Sequence, residues 1–242
     1  MTDWIAIGPD TGGTRAVAMR GGRVDTSLVA PDEAAAVTRL GTRAENIIRV
    51  GDGAPDRLPA AVMPARAGTV AGFTQETPAD VIGAWVRVRI AGFLGGHPNW
   101  DGVLCVVEDE VTHWIHISAD EAVSSQSFLT RRLINALDAG GPADTGAIAD
   151  CLSRPERLAA HLRAAQVGGD GAAMAGYLIG AELAAARPYW LGQQVAIISE
   201  PGQAAGYAAA LSAQGVPVIE EKTETLLAAG LGAVAAAWGL SG

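Results

Sequence analysis

The sequence predicts an α/β protein, and two stretches of the chain carry this prediction. At the start, apolar runs over residues 4–8 and 15–20 flank the segment PDTGGT, whose glycines and aspartate are typical of a turn between antiparallel strands. In the last third, apolar strand-like runs alternate with alanine-rich helical segments, an order typical of parallel strands joined by helices. Hydrophobic residues make up 49% of the chain, which is enough to form the interior between such layers.

The first half of the chain is predicted to extend the opening hairpin and to form a second one. Gly21 and Gly22 indicate a tight turn into a third strand over residues 23–29. Thr77 has the side chain of a helix N-cap and Pro78 suits the first helical position, so a helix is expected from there to about residue 93. The other expected elements are a helix over residues 31–40, a strand over 46–50, a loop over 51–72 and a hairpin of residues 102–107 and 111–118.

The second half is predicted to be a helical region followed by an α/β unit. Its expected elements are helices over residues 127–137, 154–165 and 170–187, a strand over 195–199, a helix over 201–214, a strand over 216–219 and a helix over 223–238. The side chains expected to be buried together there are Leu178, Ile179, Val195, Ile197, Leu211, Val218 and Leu231. An opening antiparallel hairpin with a terminal α/β unit is the layout of the actin-like ATPase fold, which is ribonuclease H-like.

Charge and composition narrow the partners and the compartment. The formal net charge of −9 disfavours nucleic acid and anionic membrane surfaces, because the average field of the protein repels both. The two cysteines, Cys105 and Cys151, lie in unrelated contexts, and Cys105 stands in an apolar strand-like run, so it is expected to be a buried free thiol rather than part of a disulfide or a metal site. Because no signal sequence precedes Trp4 and no apolar run is long enough to cross a bilayer, the expected compartment is the cytoplasm.

Several segments near the C-terminus carry a resemblance to a known family. The run AGYLIGAELA at residues 175–184 is followed by VAIIS at 195–199, YAAAL at 207–211 and AAGL at 228–231. Together these segments resemble the C-terminal part of 2-dehydro-3-deoxygalactonokinase, a family of sugar-acid kinases. The opening hairpin, the segment TQET ending at Thr77 and the residue Trp114 match the family more weakly and in the same order.

The resemblance implies both a fold and a chemistry. The fold is that of an actin-like ATPase, with an N-terminal lobe of residues 1–118, a C-terminal lobe of residues 119–242 and a cleft between them. The cofactors are ATP and Mg²⁺, and the phosphate acceptor is a 2-keto-3-deoxy sugar acid. The family is longer than this chain, with the shortfall between Arg23 and Gly72, so the chain resembles a shortened member.

The family binds the nucleotide's phosphates at the turn of the opening hairpin. The residues that the resemblance assigns to phosphate binding there are Asp10, Gly12, Gly13 and Thr14. Asp10 is also the candidate metal ligand and catalytic residue, and Arg15 is directed to the sugar acid. Ungapped alignment puts Gly8 where the family has its metal-binding aspartate, so Asp10 follows about 6.6 Å further along a strand. The segment is therefore either a displaced phosphate loop or a plain glycine-rich hairpin turn.

A second phosphate-binding turn of the family departs from its pattern in this chain. Aligned on Trp114, residues 108–114 read EDEVTHW, where the family has a glycine and a lysine that face the phosphates. Thr112 remains as a hydroxyl ligand for the nucleotide, and His113 is expected to be a surface histidine. The three acids at residues 108–110 read as a solvated turn. A carboxylate about 4 Å from a phosphate charge costs about 1 kcal/mol in water and about 4 kcal/mol at an effective dielectric of 20.

The remaining residues implied by the resemblance lie in three short segments. Gly202, in SEPG at residues 199–202, is implied to contact the adenosine, although Glu200 adds a negative charge there. Glu76 and Thr77 fall close to the family's sugar-acid residues. The family's acidic residue before a helix is absent from its expected place, which reads SQS at residues 125–127. A general base for the sugar hydroxyl is therefore missing from that place.

Three functions remain open from the sequence. The first is an ATP-dependent kinase that phosphorylates 2-dehydro-3-deoxygalactonate or a similar sugar acid, with no nucleic acid or membrane as a partner. The second is a catalytically inactive paralogue that binds a small ligand or a protein. The third is a structural subunit of a homo-oligomer, which alanine-rich helices would suit. Because the departures fall at the functional turns while the packing segments match, weak or absent kinase activity is expected.

Overall fold

The computed structural model describes residues 4–41 and 46–240 and shows a mixed α/β chain. The strands are β1 (Trp4–Asp10), β2 (Gly13–Arg20), β3 (Arg23–Ala30), β4 (Asn46–Val50), β5 (Asp56–Arg57), β6 (Ala60–Ala61), β7 (Thr69–Val70), β8 (Phe73–Glu76), β9 (Ala79–Ile82), β10 (Gly102–Val107), β11 (Thr112–Ser118), β12 (Glu121–Phe128), β13 (Val195–Ser199) and β14 (Val218–Lys222). The helices are α1 (Glu33–Leu40), α2 (Ala84–Gly96), α3 (Thr130–Ala136), α4 (Thr145–Ser153), α5 (Leu158–Gly168), α6 (Gly171–Ala185), α7 (Arg187–Trp190), α8 (Ala205–Ala213) and α9 (Thr223–Ala237).

Contacts within the chain divide it into two compact units. The first contains the residues up to Trp100, the segment Ala119–Val123 and the chain from Thr223 onward, and the second contains Asp101–Ser118 and Ser124–Lys222. This division differs from a boundary after residue 118 for two reasons. β10 pairs in parallel with β13, so the second hairpin belongs to the second unit. Helix α9 packs on α2, so the closing helix belongs to the first.

A five-stranded sheet in the order β3-β2-β1-β4-β7 forms the centre of the first unit. Strands β1 and β2 pair antiparallel, from Trp4 opposite Met19 to Asp10 opposite Gly13, which confirms the predicted opening hairpin. Because side chains alternate along a strand, both faces of this sheet are buried. Trp4 in β1 belongs to the apolar cluster with α2 and α9, whereas Ile5 belongs to the cluster with α1.

The second unit is built on a sheet in which β14, β13, β10, β11 and β12 are neighbours. β13 runs parallel to both β10 and β14, as the alternation of helices and strands predicts, and β10 and β11 form the second predicted hairpin. The predicted interior residues found together there are Leu178, Ile179, Val195, Ile197 and Leu211, with Val218 packed against them. The expectation for Leu231 was wrong, because this residue lies on α9 and is buried in the first unit. Cys105 is a buried free thiol, as expected, and Cys151 is one as well.

The helix expected to begin at Thr77 does not form there. Thr77 and Pro78 lie in the turn between β8 and β9, whose strands pair from Phe73 opposite Ile82 to Glu76 opposite Ala79. Helix α2 begins only at Ala84. The capping pattern misleads here because pairing across the turn satisfies the backbone groups that a helical turn would otherwise satisfy.

Other helix boundaries in the middle of the chain also differ from the predictions. Strand β12 continues to Phe128, so α3 begins at Thr130 rather than at residue 127. Helix α4 is an addition to the predicted elements, and Asp144 caps it by accepting a hydrogen bond from the Ala147 amide. The expected loop over residues 51–72 holds the three short strands β5, β6 and β7.

Helices α2 and α9 cross at two glycines. A Cβ atom on Gly230 would lie 1.8 Å from the carbonyl oxygen of Val88, and one on Gly92 would lie 2.1 Å from that of Leu226. These distances are shorter than any non-bonded contact, so both positions require the absence of a side chain. The close crossing lets α9 cover the sheet of the first unit, where Leu227, Leu231 and Val234 are buried.

The helix crossing can be tested with Gly230→Ala. We expect this change to lower the free energy of unfolding by more than about 2 kcal/mol, because the added methyl group forces the two helices apart. Gly232→Ala on the same helix is the matched control, since a Cβ there meets nothing within 4 Å. It is expected to gain about 0.5–1 kcal/mol from helix propensity. Urea unfolding followed by circular dichroism measures the free energy of unfolding of both variants. Equal values for Gly230→Ala and Gly232→Ala would contradict the close crossing of the two helices.

Candidate functional site

The turn of the opening hairpin brings together the residues that the resemblance assigns to phosphate and metal binding. Gly12 and Gly13 have φ angles of 84° and 144° and close the turn between β1 and β2, and Thr14 follows on β2. The carboxylate of Asp10 accepts a hydrogen bond from the Thr11 amide at 2.8 Å and forms an ion pair with the guanidinium of Arg15. The turn thus places Asp10 and Arg15 side by side, with the charge of the aspartate already partnered.

Gly8, at the position of the family's aspartate, has no room for a side chain. A Cβ atom on Gly8 would lie 1.6 Å from the carbonyl oxygen of Val50. Gly8 follows the last pair of the parallel register between β1 and β4, in which Ile7 lies opposite Arg49. An aspartate at residue 8 is therefore incompatible with this strand pairing, and Asp10 supplies the first carboxylate after the strand's buried part.

A tryptophan from α2 supports this turn. The indole nitrogen of Trp85 donates a hydrogen bond to the carbonyl oxygen of Pro9 at 2.9 Å. The guanidinium carbon of Arg15 lies 5.9 Å from the centre of the same ring, within the range of a cation–π contact. Trp85 therefore fixes both the strand before the turn and the arginine after it.

The two implied sugar-acid residues Glu76 and Thr77 lie at the turn between β8 and β9. Both are exposed, and the carboxylate of Glu76 forms an ion pair with Arg57 at 2.8 Å. Since the expected helix is absent there, Thr77 is not a helix cap. Within the described residues, no hydrogen bond or ion pair joins these two side chains to the turn that holds Asp10.

The acidic turn, defined as Glu108, Asp109 and Glu110, belongs to the second unit and is fixed by three contacts. The Glu108 amide donates to the carbonyl oxygen of Val111 at 2.9 Å, which closes the turn. The amide of Arg132 donates to the carbonyl oxygen of Glu110 at 3.0 Å, which ties the turn to α3. The side-chain amide of Gln203 lies 3.4 Å from a carboxylate oxygen of Asp109. The acidic turn therefore adjoins the segment that follows β13 and contains Gly202.

Two residues at the start of β11 are buried, namely His113, which was expected at the surface, and Thr112, which was expected to offer its hydroxyl to the nucleotide. His113 is 4% exposed, its Nδ1 lies 2.6 Å from the hydroxyl of Ser127, and its Nε2 lies 3.6 Å from the Glu108 carboxylate. The expectation of a surface histidine was therefore wrong, since the ring is buried and hydrogen-bonds to Ser127 on β12. Thr112 has no exposed surface, and its hydroxyl lies 3.3 Å from that of Tyr207. The structure thus turns the Thr112 hydroxyl inward rather than toward solvent.

Glu182 is a buried carboxyl group at the centre of the second unit. The indole nitrogen of Trp114 donates to one oxygen at 2.8 Å, and the hydroxyl of Tyr207 donates to the other at 3.0 Å. Thr130 and Thr112 also hydrogen-bond to it. Burial raises the pKa of Glu182 to about 7, and the hydrogen bonds from these four side chains act in the opposite direction.

A pocket of about 580 Å³, called here the Gly202 pocket, lies in the second unit. Its walls come from α3, from the loop before α4, from α6 and from the segment that leads into α8. The lining residues are Arg131, Ile134, Gly141, Pro142, Ala143, Thr145, Ala175, Ile179, Pro201, Gly202, Gln203, Ala205, Gly206 and Ala209. Most of them are small and apolar, and among these lining residues Arg131 is the one charged side chain.

Neither a dedicated metal site nor a membrane-spanning helix is present in the described part of the chain. Within residues 4–41 and 46–240, no three His, Cys, Asp or Glu side chains lie close enough together to hold a metal ion. None of the helices that the structure describes is long and apolar enough to cross a membrane.

Sequence reasoning missed Glu182 and Arg131. Glu182 is the one charged residue of an otherwise apolar helix, α6. A lone carboxyl group in such a helix indicates a buried group that needs hydrogen-bond donors, and this signal could have found it. Arg131 gave no local signal, because the pocket it lines is assembled from segments far apart in the sequence.

The buried carboxyl group predicts a specific pH dependence of stability. Its folded-state pKa of about 7 lies above the ordinary value of 4.5, so the folded chain holds a proton that the unfolded chain has released between these values. The stabilisation is therefore full below pH 4.5 and is lost as the pH rises through 7, by about 3 kcal/mol. In Glu182→Gln, which stays neutral, this loss should vanish.

Urea unfolding of both proteins between pH 5 and 8 measures the difference. The exposed Glu156→Gln serves as the control on the surface of the same unit. A stability difference between wild type and Glu182→Gln that does not change with pH would show that Glu182 is ionised in the folded chain throughout this range.

Comparisons with known proteins identify a family match in part of the chain and solved structures that share its fold. The family model for 2-keto-3-deoxy-galactonokinase matches residues 152–234, which confirms the resemblance over that third of the chain. No curated protein matches the chain. A crystal structure of a proposed 2-dehydro-3-deoxygalactonokinase from Sinorhizobium meliloti is similar with a TM-score of 0.80 and 19% identity, over 97% of this chain and 98% of that one.

Two further solved structures share the fold at lower similarity. One is the activator of the 2-hydroxyisocaproyl-CoA dehydratase from Clostridium difficile with bound ADPNP, with a TM-score of 0.55 and 10% identity over 100% of this chain and 96% of that one. The other is component A of the (R)-2-hydroxyglutaryl-CoA dehydratase from Acidaminococcus fermentans, with a TM-score of 0.53 and 11% identity over 98% of both chains. At these identities the likeness concerns the fold alone. The chain has the actin-like ATPase fold, and its residues 152–234 match the 2-keto-3-deoxy-galactonokinase family.

Proposed function

We propose that this protein is a cytoplasmic sugar-acid kinase that uses ATP and Mg²⁺ to phosphorylate 2-dehydro-3-deoxygalactonate or a similar 2-keto-3-deoxy sugar acid. The observation that carries this proposal is the Gly202 pocket, because eight of its lining residues lie within the segment that the kinase family model matches. Gly202 and Gln203 at its rim, and Ala175 and Ile179 on α6, all fall in residues 152–234. This pocket is where the nucleoside part of ATP would bind.

The shape and lining of the pocket suit a nucleoside. Its volume of about 580 Å³ falls in the range of small-molecule sites, which are mostly apolar with a few polar groups that fix orientation. Alanine and glycine on α8 leave a wall without large side chains, which a flat base can approach closely. Gln203, Thr145 and Arg131 provide the polar groups.

The phosphate end of the proposed site carries the wrong charge for tight binding. Asp109 of the acidic turn contacts Gln203, one residue from Gly202, and Glu200 is exposed two residues before Gly202. The proposed kinase therefore binds ATP weakly, since each carboxylate near the phosphates raises the free energy of the complex.

The first unit supplies the remaining proposed roles. Mg²⁺ brings Lewis-acid charge to the phosphates, and Asp10 would hold it through water, since each oxygen of its carboxylate keeps a free acceptor position beside its present hydrogen bond. Arg15 would bind the carboxylate of the sugar acid, and Glu76 and Thr77 its hydroxyl groups. Gly12, Gly13 and Thr14 would offer backbone amides and a hydroxyl to the phosphates.

A second candidate function is a catalytically inactive paralogue that binds a small ligand or a protein. Two observations in the first unit favour it. Gly8 cannot carry the family's aspartate, and the displaced Asp10 is already paired with Arg15. In this alternative the Gly202 pocket still binds a ligand, but no phosphoryl transfer follows.

Removing the charges of the acidic turn should raise the affinity for Mg-ATP. We expect the triple replacement of Glu108, Asp109 and Glu110 by Asn to tighten binding at least tenfold at low ionic strength and less at high ionic strength, where salt screens the charges. Calorimetric titration of Mg-ATP at two salt concentrations measures this. Tight binding by the unmodified protein, or equal affinities at low salt, would refute the electrostatic account.

Asp10→Asn separates the two candidate functions. If the protein is a kinase, we expect this variant to form no ADP when 2-dehydro-3-deoxygalactonate is added, because the neutral amide cannot hold Mg²⁺. The variant should still bind adenosine. Asp25→Asn is the matched control, since Asp25 is an exposed aspartate paired with Arg20 at 3.1 Å in the same sheet. Adenosine binding by the wild type without any sugar-dependent ADP formation would favour the inactive paralogue.

A further inference from the structure

Arg131 is a cation of the Gly202 pocket without an anionic partner. Its side chain is partly exposed and lines the pocket. Within the described residues it forms no ion pair, and its Nε is buried without a hydrogen-bond partner. The charge of Arg131 is therefore available to a ligand.

The backbone around Arg131 is held on both sides. Thr130, directly before it, is buried and hydrogen-bonds to Glu182. Arg132, directly after it, donates its amide to the carbonyl oxygen of Glu110 at 3.0 Å. These two contacts fix the start of α3 between the interior of the second unit and the acidic turn, so the direction of the intervening side chain is set by the fold.

The ligand that this arrangement suits has an apolar body and a negative group close to it. The small apolar residues of the pocket accept the body, and a guanidinium binds phosphate oxygens through two N–H groups at once. The acidic turn adjoins the pocket at Gln203, and its carboxylates oppose negative groups that extend toward it. A negative group attached directly to the nucleoside is therefore favoured, and negative groups further along the ligand are not.

We infer that Arg131 binds the phosphate group attached directly to a nucleoside held in the Gly202 pocket, and so supplies the positive charge that the acidic turn lacks. This inference rests on the proposed nucleotide-binding function and names the residue that carries recognition of the phosphate. It also sets an order of affinity, in which a nucleoside monophosphate binds more tightly than the free nucleoside, and the additional phosphates of ATP contribute little.

The test is a binding titration of adenosine, AMP and Mg-ATP with the full chain at low ionic strength. We expect Arg131→Gln to lower the affinity for AMP at least tenfold and to leave the affinity for adenosine within twofold of that of the wild type. Arg131→Lys, which keeps the charge but not the paired N–H groups, should lose less. Arg132→Gln is the matched control, because Arg132 is the exposed neighbour on the same helix and does not line the pocket.

The outcomes distinguish this inference from the proposed function. If the wild type binds AMP and Arg131→Gln binds it equally well, or loses adenosine and AMP to the same extent, Arg131 is not the phosphate ligand although nucleotide binding stands. If the wild type binds neither adenosine nor AMP, the proposed function fails and the inference fails with it. Thermal unfolding of each variant checks its fold, and Arg131→Lys keeps the test decisive if Arg131→Gln does not fold.

Discussion

The second unit depends on one buried carboxyl group. Glu182 on α6 accepts hydrogen bonds from side chains on four other positions of the chain: Thr112 and Trp114 on β11, Thr130 on α3 and Tyr207 on α8. A carboxyl group removed from water is costly unless donors replace the solvent, and here the fold supplies four. Because the four donors sit on three different elements, their convergence fixes β11, α3 and α8 against α6.

The same three elements carry the candidate nucleotide site. The acidic turn ends directly before β11, Arg131 follows Thr130, and Gly202 and Gln203 lead into the helix that contains Tyr207. A shift of Thr130 or Tyr207 away from Glu182 would move α3 or α8, both of which line the Gly202 pocket. Residues 178–182, which read LIGAE and resemble the kinase family in packing, thus also contain Glu182, the carboxyl group that positions the site.

Local patterns predicted the parts of the fold that local physics determines. The opening hairpin and the strands β10, β11 and β13 follow from short apolar runs bounded by turn residues, and the structure confirms them. Contacts between distant segments could not be predicted in this way. The guanidinium of Arg87 on α2, for example, is buried and donates to the carbonyl oxygens of Ala61, Val62 and Ala71 and to Asp56, so it organises a segment that reads as a loop. The Gly202 pocket and its Arg131 belong to the same class, whereas Gly202, Asp10 and Arg15 were named from the resemblance.

The position of Asp10 follows from strand pairing rather than from a free choice of turn sequence. The parallel register of β1 and β4 brings the carbonyl oxygen of Val50 against Gly8, where a Cβ would lie 1.6 Å away. The chain after β4 also lies close to the chain at the end of β1 one residue further on, since a Cβ on Gly51 would lie 3.0 Å from the ring of Pro9. Beyond these contacts, the first carboxylate that the hairpin carries is that of Asp10. Restoring an aspartate at residue 8 would therefore require a different approach of β4, and this is why the proposed role of the family's aspartate falls to Asp10.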